Sequence, residues 1–89
     1  MDGHEQRQAL TAAERSIEHL VAGRPDDAER AARRAEELDQ VGVFEKLVTA
    51  VGAAASDLTA GQPVSAIHVD DLLDAVGPGP LAGSIEQLR

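Results

Sequence analysis

The acid–base and metal-ligating side chains of this chain are three histidines and sixteen carboxylates; it contains no cysteine. Disulfides, thiolate catalysis and cysteine metal sites are excluded, and the redox compartment is unreadable. His4, His19 and His68 are dispersed, and the neighbours Glu18 and His19 point to different faces of a helix. Structural roles are expected for His19 and His68. No Glu-x-x-His pair of the di-iron kind and no His-Glu-x-x-His zinc motif occurs. Asp70, Asp71 and Asp74 read as a solvated helix face, since the alternating oxygen ligands and loop glycine of a calcium site are missing. Gly77-Pro78-Gly79-Pro80 follows no strand and cannot cradle a phosphate. No catalytic, cofactor-binding or metal-ligating residue is assigned, and the chain is read as non-enzymatic, without a cofactor. Arg30, Arg33 and Arg34 could form an anion site. Each has a carboxylate one turn away (Asp26 for Arg30, Glu29 and Glu37 for Arg33), so the expectation is a salt-bridged, solvated face.

These residues must be positioned by helices joined at tight corners. In Gly23-Arg24-Pro25-Asp26-Asp27-Ala28, glycine ends one helix, proline starts the next, and two aspartates meet the positive end of its dipole. Gly61-Gln62-Pro63-Val64-Ser65-Ala66 is a second corner. The first helix is expected from about residue 5 to 22, with Leu10, Ala13, Ile17, Leu20 and Val21 on one stripe. The second, 25 to 39, has a small inner face of Ala28, Ala31, Ala32, Ala35 and Leu38. The third, 43 to 60, is the most apolar and so the most central. The fourth, 63 to 76, turns Ala66, Ile67, Val69, Leu72, Leu73 and Val76 inward. Residues 77–80 form a Gly/Pro linker. Leu81, Ile85 and Leu88 then recur at helical spacing in a short amphipathic tail, 81–89, where Ser84 could cap a final turn.

Eighty-nine residues make one domain, marginal in size for burying a core. Hydrophobic residues are 43% of the chain but Phe44 is the only aromatic, so small aliphatic side chains must do the packing, and oligomerisation is expected. A net charge of −8 argues against nucleic acid and against an anionic membrane surface. The first eight residues are polar, so no secretory signal is read and a cytoplasmic location is expected. Glu45, Lys46 and Asp57 interrupt the most apolar stretch, and nothing spans a membrane.

Shifted by 38 residues, the halves align without gaps: Thr11-Ala12 on Thr49-Ala50, Leu20 on Leu58, Gly23 on Gly61, Pro25 on Pro63, Ala28 on Ala66. A fixed period of this kind marks stacked helical hairpins. The pattern resembles the tetratricopeptide repeat family over residues 9–42 and 47–80. Ser16, Gly23, Ala28 and Ala35 match its small positions in the first copy, and Ala54, Gly61, Ala66 and Pro78 match in the second. Ala12, His19, Ala50 and Asp57 stand where that family places aromatic rings, and the copies lie four residues further apart than usual. The expected fold is all-α: a four-helix, tetratricopeptide-like domain over residues 1–76 with hairpins at 5–39 and 43–76, plus the tail. An ordinary antiparallel four-helix bundle is the alternative.

The resemblance implies a groove that binds a helical or extended peptide segment of another protein. Its lining would be Leu10, Ala13, Ile17 and Leu20 from one hairpin and Val48, Val51, Ala55 and Leu58 from the next. A bare apolar surface of that extent is rare, so a partner helix, a second copy or the tail (through Leu81, Ile85 and Leu88) should cover it. A homodimer is the default. The tail is also distantly similar to peptides that load cargo into bacterial nanocompartments, which implies a second role: a scaffold or cargo-type subunit docking into a larger assembly.

Overall fold

The computed structural model describes residues 4–88, all helices, turns and loops. The elements are α1 (His4–Val21), α2 (Pro25–Leu38), α3 (Glu45–Thr59), α4 (Ala66–Val76) and α5 (Pro80–Glu86). Each helix packs on the next, most extensively α1 on α2, then α2 on α3, then α3 on α4. α5 folds back to touch α1 and α4. No described helix is long and apolar enough to cross a membrane.

Both corners end the preceding helix in the same way. Gly23 and Gly61 each adopt φ of 77°, a conformation that costs glycine little. The Gly23 N–H donates to Leu20 O and the Arg24 N–H to His19 O; Gly61 with Leu58 and Gln62 with Asp57 repeat the pair. This is the Schellman arrangement, which satisfies the orphan carbonyls of the last helical turn.

The corners then diverge. Pro25 takes the first position of α2, but Pro63 does not start α4. Ser65 caps that helix instead, its hydroxyl accepting the His68 N–H at 3.3 Å, while its own N–H donates to Asp57 Oδ2 at 3.0 Å. Residues 62–65 form no helix, Ser65 is extended, and Val64 is buried. The delayed start turns the helix by one residue. The buried Ala32 and Ala35 of α2 correspond to Val69 and Leu72 of α4, 37 apart rather than 38. The gapless alignment therefore fails beyond the second corner: Ala28 is fully buried but Ala66 is exposed. Ile67, expected inside, is 72% exposed.

Asp39, expected as the last residue of the second helix, lies beyond it and organises the next loop. Its carboxylate accepts the Gly42 N–H at 2.9 Å, the Phe44 N–H at 2.8 Å and the Gln6 amide at 2.9 Å. Burial works against ionisation, but these hydrogen bonds outweigh it and hold the carboxyl below its ordinary value. One aspartate thus ties the start of α1 to the α2–α3 connection.

The core is aliphatic and runs through the first four helices: Ile17 and Leu20 from α1, Ala28 and Ala35 from α2, Val51 and Ala55 from α3, Val69 and Leu72 from α4. The alanines of α2 let its backbone approach its neighbours closely. Ser16 is buried among them and donates to Ala13 O at 2.6 Å. α5 adds Ile85, fully buried, with Leu81 and Leu88 half-buried beside it. Pro80 sets the first turn of α5, so Ser84 lies inside that helix rather than capping it.

Candidate functional site

The polar residues at the corners are structural. Asp57 Oδ2 lies 2.6 Å from His68 Nδ1. The Ser65 N–H, and after it the His68 ring, hold the Asp57 carboxyl below its ordinary value. A carboxylate-oriented imidazole is half of a proton relay. Here the nearby Ser65 hydroxyl is engaged as a helix cap, so the group acts as a lock on the α3–α4 corner. The first hairpin carries its counterpart: Arg30 pairs with Asp27 near His19, and the hydrogen bond from Arg30 keeps Asp27 ionised to lower pH than usual. Among the described residues, no three His, Cys, Asp or Glu side chains come together to hold a metal.

The expected apolar groove is not an open surface. Ala13, Ile17, Leu20, Val51 and Ala55 are at most 1% exposed and belong to the core. Val48 and Leu58 are half-buried against it, and only Leu10 is open, at 45%. These helices pack directly on their neighbours, and Ile85 of α5 joins the same cluster. The tail therefore lies against its own chain.

The surface that remains open was assigned no binding residue from sequence. A cleft of about 500 Å³ runs between α1 and α2. Ala12, Ala31 and Leu38 contribute its apolar lining, and Arg15, Arg30 and Arg34 supply three guanidinium groups. Arg15 comes from α1, so the basic cluster spans two helices. The pairs that form are Asp27 with Arg30 and Arg34 with Glu37 (3.6 Å), both three apart. None of the expected four-apart pairs occurs among the described residues, and Arg15 has no ion-pair partner there. His19 also lines the cleft, with Nδ1 buried and lacking a hydrogen-bond partner. The spacing of Arg30 and Arg34 was visible in the sequence; the arrival of Arg15 depends on how α1 packs on α2.

A second cleft, about 600 Å³, lies at the equivalent place between α3 and α4. Lys46, Thr49, Ala50 and Ala53 stand 38 residues after Gln8, Thr11, Ala12 and Arg15. With the one-residue turn of α4, Ile67 and Asp71 take the places of Arg30 and Arg34. The charge is inverted: three arginines against one aspartate line the first cleft, whereas Glu45, Asp71 and Asp74 against Lys46 line the second. All the arginines of residues 4–88 precede residue 35.

No family model, curated protein or solved structure matches this chain.

Proposed function

We propose that the chain is a non-enzymatic protein–protein interaction module: two tetratricopeptide-like hairpins closed by their own tail, with the arginine cleft between α1 and α2 as the docking surface. The partner segment is an acidic amphipathic helix. Its apolar side rests on Ala12, Ala31 and Leu38 and its carboxylates face the arginines, the helix-in-groove mode of recognition. The observation that carries this reading is the convergence of Arg15, Arg30 and Arg34 on one apolar-lined cleft in a chain of net charge −8. Arginine suits the task because its planar fork pairs with carboxylates and is weakly hydrated. The matching hydrogen bonds at the Gly23 and Gly61 corners support the hairpin reading. Burial of Ile85 in its own core favours this function over that of a tail plugging into a larger assembly.

The test is fluorescence anisotropy with a labelled helical peptide carrying leucines on one face and glutamates on the other. Saturable binding is expected, with a lysine-for-glutamate version of the peptide not binding. Arg15→Glu combined with Arg34→Glu should weaken binding by roughly tenfold or more, since each reversal turns an attraction of up to about 1 kcal/mol into a repulsion. Equal binding of both peptides, or an unaffected double variant, would refute the proposal.

A further inference from the structure

We infer that the acidic helix received by the arginine cleft is α4 of a second copy of this chain. This rests on the docking surface proposed above and names its partner. Ile67, Asp71 and Asp74 all line the second cleft, at i, i+4 and i+7 of α4, and so share one flank of that helix. Asp71 and Asp74 are exposed, and Ile67, at 72%, is the most exposed large apolar side chain described. The Ser65 cap turns Ile67 outward, and its own fold leaves the side chain uncovered. An isoleucine followed one and two turns later by carboxylates is the pattern the first cleft calls for.

The spacing also fits. Residues four apart on a helix are separated by about 6 Å along its axis. Arg30 and Arg34 are so spaced on α2; Asp71 and Asp74, three apart on α4, are separated by about 4.5 Å. With Ile67 on the alanine and leucine lining, Asp71 and Asp74 fall in the reach of long arginine side chains. Asp27 inside the first cleft, Glu37 at 3.6 Å from Arg34, and Lys46, which lies 3.1 Å from Asp74, counter the attraction. Lys46 and Asp74 are more than 70% exposed, so that pair is readily exchanged for a better one.

The two faces are different surfaces of one molecule. Paired reciprocally across a two-fold axis they close a dimer; otherwise the contact is heterologous and propagates unless the rotation between copies closes a ring. Its salt dependence alone decides little, because salt screens both the local attraction and the repulsion between copies of charge −8.

A charge swap decides it. One variant carries Arg15→Glu and Arg34→Glu, the other Asp71→Arg and Asp74→Arg. All four side chains are exposed, and circular dichroism confirms the helical fold of each. In sedimentation velocity the wild-type mass should rise with concentration above the 9.3 kDa of one chain. Each variant alone should remain a single chain, and an equimolar mixture should associate again. A wild type that stays a single chain at several hundred micromolar, or a mixture that does not associate, overturns the inference. The glutamate peptide, titrated into the Asp71→Arg, Asp74→Arg variant, separates the two readings. Binding of the peptide by that variant, with a wild type that stays a single chain, removes only the second copy as partner; a variant that does not bind the peptide removes the docking surface too.

Discussion

Replacing Ile85 by alanine probes how α5 is held. Ile85 is fully buried, and α5 is only seven residues long, far too short to be helical alone. Removing three carbons from a closed core site costs about 2–5 kcal/mol. A domain of this size is stable by roughly 4–13 kcal/mol, so the loss is a large share of the total. At about 4–8 °C per kcal/mol, a 3 kcal/mol loss lowers the melting temperature by roughly 12–24 °C. Because α5 packs on α1 and α4, apolar surface on those helices should be uncovered as it loosens. The assay is thermal circular dichroism at 222 nm beside binding of an apolar dye, with Gln87→Ala as the exposed control. An Ile85→Ala chain that melts within about 2 °C of wild type without binding dye would refute the docked tail.

Two further perturbations address the corners. Asp57 titrates below its ordinary 3.8 in the fold, so its contribution is complete above that pH and is lost as pH falls through the lowered value. Asp57→Asn should therefore be less stable than wild type near pH 6, and the gap between the two urea curves should narrow as pH falls below 3.8; a gap independent of pH would contradict the lock. Gly23→Ala and Gly61→Ala introduce a Cβ that meets nothing within 4 Å, so their cost is that of a positive φ alone, about 1–2 kcal/mol in urea unfolding and similar at both sites. A neutral or stabilising result at either corner would overturn that geometry.

Much of the fold is legible in local signals. Gly23 and Gly61 announce both corners, and the alanine flank of α2 announces a close-packed helix. The signals fail where two of them compete. Pro63 is a good helix start, but Ser65 is a better cap once Asp57 holds its backbone, and that choice turns Ile67 outward. Leu10 continues an apolar stripe yet lies past the edge of the packed area. The docking cleft was the least legible feature. Arg30 and Arg34 each have an acidic neighbour on α2, which reads as a solvated face. The third guanidinium, Arg15, reaches them across a helix interface that no spacing rule encodes. The filled groove was hidden for a similar reason: periodicity shows that Ile17 and Val51 are apolar without showing what packs on them.

The most direct test of the arginine cleft is a titration of the ¹⁵N-labelled chain with the glutamate peptide, read as backbone amide shifts. The largest changes should fall on Thr11, Arg15, His19, Arg30 and Arg34, with α5 unmoved. Shifts centred on Ile85 and its neighbours, or none at saturating peptide, would contradict it.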